Sequence, residues 1–242
     1  MSEIAVRPAG DAGFLLEVGT RADEETSNRV LLLAESLRGR LAGLPDLEVV
    51  PAYTSVLVSA RPGMLDETRL RSLVQGMESS DVEPAAPSGD VYVIPVVYGA
   101  EYGPDLDVVA ELNGLSADEV VERHASVAYR IYCLGFSPGF PFLGGLPDSL
   151  STPRLPTPRV RVPAGSVGIG GRQTGVYPTA TPGGWRIIGR TPLVLFDPAR
   201  TPPVDYRPGD RLRFEPISHE DFVRLHALRL TPAMYRSTGK SW

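Results

Sequence analysis

The sequence predicts an α+β protein in two parts, a small sheet-and-helix layer followed by a β-barrel or sandwich. Three observations carry that reading. Residues 1–80 alternate short β-branched runs with two segments of helical period. Residues 81–89, inside the stretch Glu78–Gly89, hold Pro84, Pro87 and small polar residues without periodicity, the composition of a linker. Residues 90–242 then carry short apolar pieces separated by Gly and Pro at regular spacing, which suits a barrel or sandwich better than an open parallel sheet.

In the first part, Ile4–Arg7 and Phe14–Val18 read as strands joined by a Gly/Asp turn. Thr20 and Asp23 have the spacing of a capping box opening a helix, on which Val30, Leu33, Leu37 and Leu41 recur along one face. Leu44-Pro45-Asp46 ends that helix. Leu47–Val50 and Ser55–Ser59 follow as strands, and Arg61-Pro62-Gly63 turns the chain. A second helix from Asp66 to Met77 carries Leu70, Leu73, Val74 and Met77 on one face. The order ββαββα places helices on one side of a small sheet.

In the second part, Val91–Tyr98 is a strand that its Pro95 assigns to an edge or a bulge. Asp105–Leu112 reads as a short helix. Ser116 and Glu119 cap another, which carries Val120, Val121 and His124. Val127–Leu134 leads as a strand into a Gly/Pro-rich region. There Val160–Val162, Ser166–Ile169, Gly175–Tyr177, Trp185–Ile188 and Leu193–Phe196 are candidate strands, and Arg211–Phe214 is the last. Ser218 and Asp221 cap a closing helix that runs to Leu230.

Composition excludes several classes of function. A net charge of −5 argues against general nucleic-acid binding, which relies on broad positive potential. Cys133 is the sole cysteine, so there is no intrachain disulfide and no zinc cluster of cysteines. No apolar run approaches the roughly 20 residues that span a bilayer, and the amino terminus lacks the basic and apolar regions of a signal peptide, so a cytoplasmic location is expected. Lys240 is the only lysine, which leaves no well-placed residue for a Schiff base or a phosphate-binding P-loop.

The stretch from Gly135 to Pro192 stands apart. It holds twelve of the 25 glycines and ten of the 24 prolines, and six arginines against the single acid Asp148 make it +5 within an acidic chain. Rigid turns presenting backbone and arginine account for such a segment better than disorder, because apolar anchors punctuate it. His124, just upstream, reads either as a proton carrier or as a capping or packing histidine. The aromatic run Phe136–Phe142 reads as a pocket wall, a barrel corner, or both. Gly135-Phe136-Ser137-Pro138-Gly139 matches a nucleophile-elbow pattern by letter only. Proline after the serine removes the N–H that the oxyanion hole needs. Gly165–Thr174 reads either as an anion-binding nest beside Arg172 or as a glycine-lined hairpin. Arg154, Arg159 and Arg161 sit on a proline-stiffened loop suited to an anionic ligand or an acidic partner.

These residues carry a resemblance. GFSPGFPFLGGL, TPRLPTPRVRVPAGSVGI, QTGVYP and PGGWRIIGRTP occur in order, and the match is closest from Val120 to Pro198. The chain resembles the B subunits of bacterial 5-oxoprolinases, a family also called allophanate hydrolase subunit 1. It includes a sporulation-kinase inhibitor and is similar to subdomains C and D of the carboxyltransferase region of urea carboxylase. The resemblance implies a ferredoxin-like amino-terminal domain and a cyclophilin-like β-barrel. It implies a hetero-oligomer with two other 5-oxoprolinase chains, the A chain and the C chain, the latter of homologous fold and similar to allophanate hydrolase subunit 2. That complex opens the lactam of 5-oxoproline to L-glutamate with ATP hydrolysis. ATP belongs to the complex, with no cofactor or metal assigned to this chain, no nucleic-acid or membrane partner, and no activity for the chain alone. Two other readings stay open, a regulatory module inhibiting a sensor histidine kinase and a component of an allophanate or urea amidolyase pathway.

By family position, His124 is the candidate catalytic group for proton transfer. Arg154, Arg159, Gln173 and Tyr177 are candidates for substrate or anion binding, and Phe136, Pro138, Gly139 and Trp185 for the pocket wall or the partner interface.

Overall fold

The computed structural model describes residues 4–78 and 89–239 and divides the chain into two units, 1–88 and 89–242. The 81–89 linker, apart from Gly89, lies outside the described residues, as do Lys240 and the side chain of Met77.

In the first unit, strands β1 (Ala5–Pro8), β2 (Gly13–Glu17), β3 (Glu48–Pro51) and β4 (Ser55–Ser59) form one antiparallel sheet in the order β1-β2-β4-β3. Helices α1 (Glu24–Arg40) and α2 (Glu67–Glu78) complete it. The strand order is that of a ferredoxin-like sheet, but the chain begins one strand along and runs ββαββα rather than βαββαβ. Val30, Leu33, Leu37 and Leu41 are all buried, against Leu16, Val56 and Val58 of the central strands. Each such side chain contributes about 1.5–3 kcal/mol. The start of α1 corrects the expectation for Thr20. Asp23 is the cap, its Oδ1 accepting the Thr26 N–H at 2.9 Å. A carboxylate at this position also meets the positive end of the helix, which a threonine hydroxyl cannot match.

The second unit is a closed barrel of seven strands. In chain order these are β5 (Val91–Tyr98), β6 (Ala128–Leu134), β7 (Pro141–Gly144), β9 (Ser166–Gly170), β10 (Gln173–Val176), β12 (Arg186–Arg190) and β13 (Arg211–Pro216). The circuit runs β10-β7-β6-β13-β5-β12-β9 and back to β10. Only β13 and β5 pair in parallel. Strands β8 (Arg159–Val162) and β11 (Thr181–Gly183) form a separate two-stranded ribbon. Helices α3 (Leu106–Asn113), α4 (Ala117–Ala125), α5 (His219–Leu228) and α6 (Pro232–Ser237) accompany the barrel. Inward side chains such as Ile94, Ile131, Leu143, Ile169, Val176, Leu212 and Phe214 fill it. At α4 the capping box of Ser116 and Glu119 is complete, with both reciprocal bonds present.

Several elements differ from expectation for identifiable reasons. Val91–Tyr98 is an interior barrel strand, not an edge, because β12 pairs only with Val97 and Tyr98 and leaves Pro95 facing no β12 partner. Leu193–Phe196 is not a strand. Leu193 and Leu195 are buried in the barrel core, and the intervening Val194 N–H goes to Leu230 O at 2.9 Å, so the alternation records burial alone. Strand β7 opens on Pro141, a permitted first position, within a run expected to be turn. Helix α6 follows the cap Thr231 with Pro232 in its first turn, a local start signal.

Candidate functional site

The pieces of the site come from β7 and the segment before it, the loop ahead of β8, the residue after β10, and the end of β11 with the approach to β12. The turn after β6 places Phe136 at φ 64°, a left-handed backbone that a bulky residue adopts only under constraint. The constraint is visible. Gly135 N–H donates to Phe140 O, Phe140 N–H to Ser137 O, and the Tyr206 hydroxyl to Gly139 O at 2.8 Å. Gly139, at φ 78°, sits so close to Val204 that an added Cβ would lie 2.9 Å from it. Phe136 is thereby held out with 63% of its surface exposed.

Beside it lies a nest of rings. Phe140 meets Phe136, Tyr177 and Trp185 edge-on, at centroid distances of 5.4, 5.3 and 5.5 Å. Such pairs stabilise by about 0.5–1.5 kcal/mol beyond their burial. A cavity of about 180 Å³ opens between these rings and Phe142, bounded by Gly183 and Gly184 and rimmed by Arg154. The Arg154 guanidinium stands 5.8 Å from the Trp185 ring centre, within cation–π range. The Tyr177 hydroxyl faces this environment. Burial raises its pKa, while the Trp185 main-chain amide and the charges of Arg154 and Arg159 pull it back. A second, more open depression of about 370 Å³ runs along Leu134–Gly139 and shares Phe136 with the first.

Phe136, Arg154, Tyr177 and Trp185 thus come together at one cavity, and Pro138 and Gly139 line the neighbouring depression. The other candidates do not join them. Gln173 pairs with Gly170 at the end of the β9–β10 hairpin and does not line either cavity. Arg159, expected to hold a ligand anion, has an internal partner. Its Nη2 meets Asp105 Oδ1 at 2.8 Å and its Nη1 donates to Trp185 O at 3.3 Å.

His124, expected to move protons, is fully buried in the barrel. It stacks on Phe214 at 4.6 Å. The Thr174 hydroxyl donates to Gly168 O, so its oxygen accepts from His124 Nε2–H at 2.8 Å, and Nδ1 accepts from the Tyr98 hydroxyl at 2.8 Å. Desolvation lowers its pKa from 6.5 to about 3. This is a neutral core histidine with both nitrogens engaged.

The glycine-rich hairpin is no anion nest. Its main-chain groups pair across β9 and β10, and the face left bare at Gly170 and Gly175 is where the Trp185 indole lies. A Cβ on Gly170 would stand 2.5 Å from Trp185 Nε1, and one on Gly175 would stand 3.0 Å from Cζ3. The residue that sequence reasoning missed is Asp105, whose partners lie 54 and 82 residues away, whereas Phe142, in the aromatic run read as a pocket wall or barrel corner, lines the cavity.

Residues 4–205 match the model of the carboxyltransferase domain, subdomain C and D. The chain belongs to that family. Two relatives, each named as the B subunit of 5-oxoprolinase, are of similar length. The one from Escherichia coli O157:H7 is 48% identical, over 86% of this chain and 93% of its own. That from Bacillus subtilis is 41% identical, over 90% and 94%. Among solved structures, PH0987 from Pyrococcus horikoshii shares 45% identity at a TM-score of 0.54, covering 90% of this chain and all of that one. TTHA0988 shares 41% at a TM-score of 0.73, over 88% of this chain and 40% of its own length. The urea carboxylase of Kluyveromyces lactis shares the fold at a TM-score of 0.74 and 20% identity, over 93% of this chain and 23% of that one. Among the described residues, no helix is long and apolar enough to cross a membrane.

Proposed function

We propose that this chain is the B subunit of an ATP-dependent 5-oxoprolinase, which opens the 5-oxoproline lactam to L-glutamate together with an A chain and a C chain, the latter of homologous fold. The observation that carries this reading is the family match joined to the cavity's chemistry. At 41–48% identity over most of both chains, the relatives bear the name of that B subunit. The cavity offers what a small cyclic amide acid requires, ring faces for an apolar five-membered ring and a guanidinium at the rim for its carboxylate. No carboxylate among the described residues pairs with Arg154, so its charge is available to a ligand.

The chain contributes a binding surface and depends on its partners for the rest of the chemistry. It has no nucleotide-binding loop motif, and its one histidine near the region is a neutral core residue. The exposed Phe136 and the cavity mouth beside it are the surface on which a partner chain completes the site. That TTHA0988 carries this fold within a chain more than twice as long supports such a joint arrangement. The substrate bound here would keep its carboxylate on Arg154 while ATP is handled by the partner chains.

Reconstitution decides the matter. With all three chains of the complex together, 5-oxoproline yields glutamate and ADP in equal amounts, and leaving out this chain abolishes both products. Full turnover without it would sink the proposal.

A further inference from the structure

Trp185 follows two glycines and precedes β12, so neither ladder pairing nor local stiffness fixes its backbone. Its amide side is tied by Leu155 N–H donating to Gly184 O at 2.7 Å, and its carbonyl side by a closed set of bonds centred on Asp105, at the start of α3. Asp105 N–H donates to Ile187 O at 2.9 Å, and Ile187 N–H donates to Asp105 Oδ2 at 2.6 Å. The remaining oxygen, Oδ1, takes Arg159 Nη2 at 2.8 Å, and the other arm of the same guanidinium reaches Trp185 O at 3.3 Å. Asp105 does not serve as a helix cap despite its position, because both its oxygens are committed to this set. Its side chain is 7% exposed and that of Arg159 31%, so the pair is largely shielded from solvent.

We infer that Asp105 is the positioning residue of the cavity, setting through Arg159 and Ile187 where the Trp185 ring stands relative to Arg154. The inference rests on the reading of the cavity as the place where a small carboxylate binds, but the geometry it claims exists without ligand. A carboxylate is required because only two anionic oxygens satisfy an amide and a guanidinium at once. An arginine is required because only a planar fork spans a carboxylate and a carbonyl together. Lysine in its place would keep the charge and lose the span.

The test uses the full chain with Trp242→Phe, which leaves Trp185 as the sole tryptophan. Asp105→Asn and Arg159→Lys are made singly and together, with circular dichroism as the check of folding. Expected in each single variant is a red-shifted Trp185 emission and about a twofold or greater rise in acrylamide quenching, with no ligand present. The double variant is expected to change less than the two effects combined. In the reconstituted complex, both single variants raise the KM for 5-oxoproline about tenfold, with a smaller change in kcat. Wild-type emission and quenching in the folded Asp105→Asn chain, or fully additive effects in the double variant, would overturn the positioning role. If Asp105→Asn does not fold, Arg159→Lys carries the same test, since Asp105 then keeps a cationic partner and only the span to Trp185 O is lost. A Trp185 shift without any 5-oxoproline binding by the wild-type chain or complex would uphold the positioning role and reject the substrate reading.

Discussion

Replacing His124 by glutamine tests the assignment of that residue to the barrel core. Its folded pKa is about 3 against 6.5 for the free side chain, and the cause is burial. As pH falls below about 6.5 the unfolded chain takes up a proton that the folded ring refuses, so the folded state loses stability on acidification. The slope approaches about 1.4 kcal/mol per pH unit well below 6.5, which amounts to about 1.6 kcal/mol between about pH 6.5 and 5. That window lies above the range in which Asp23, Glu119 and Asp205 titrate. Hydrogen bonds lower the first two, and at Asp205 the upward pull of burial is outweighed by bonds from Thr231, Ala233 and Arg200. Glutamine keeps an amide N–H for Thr174 but has no titrating group. The His124→Gln protein is therefore expected to start about 1–3 kcal/mol less stable at neutral pH and to show a flatter dependence on pH across that window. Urea midpoints of the barrel unit, followed by Trp185 fluorescence in a Trp242→Phe background, measure both. Equal slopes in the two proteins, or an imidazole titrating near its free value by NMR, would refute the argument. Either result would give the ring access to solvent and restore it as a proton carrier.

Two further substitutions separate the cavity from the scaffold. Phe136→Ala removes a ring that is mostly exposed, so the free energy of urea unfolding should change by less than about 1 kcal/mol. Activity of the reconstituted complex, titrated against this chain, should nonetheless show about 2 kcal/mol weaker association or turnover, as expected of an aromatic anchor. Equal small effects on both would return Phe136 to incidental surface. Gly170→Ala puts a methyl against the Trp185 indole, which must shift, at a cost of about 1–3 kcal/mol and with a changed emission spectrum. An unchanged spectrum would show that the indole does not rest on that face.

The elements whose cause is local were legible in the sequence. The apolar face of α1 and the Ser116–Glu119 box of α4 depend on residues within one or two turns, and both appear where the spacing puts them. The ferredoxin-like order of the first unit and the choice of a barrel over a sandwich for the second came through the resemblance, because strand order is set by partners far along the chain. Strands β7 and β11 escaped notice since Pro141 and the Thr181–Gly183 segment carry turn residues, which hid both the hairpin of β7 with the preceding β6 and the pairing of β11 with β8. Leu193–Phe196 failed in the opposite sense, with a strand's alternation and no ladder.

The charge of the Gly135–Pro192 segment shows the same limit at the site. Arg154 and Arg159 sit five positions apart in one proline-rich stretch, and nothing in its local sequence tells which of them is free to meet a ligand. Asp105, across the fold, does so by taking Arg159 into a shielded pair. Arg172 pairs with Asp148, while Arg186 and Arg190 donate to the carbonyls of Pro153 and Ala164. The segment's charge is thus largely spent on holding its own turns, which a chain so rich in glycine and proline cannot fix by regular pairing alone. Arg154 and Arg161 are the two of the six with no acid or carbonyl partner among the described residues, and Arg154 alone stands at the cavity. On the proposed reading, an anionic ligand would meet one guanidinium above a tryptophan face. Selectivity would then depend on how firmly that face is held, the task inferred for Asp105 and Arg159.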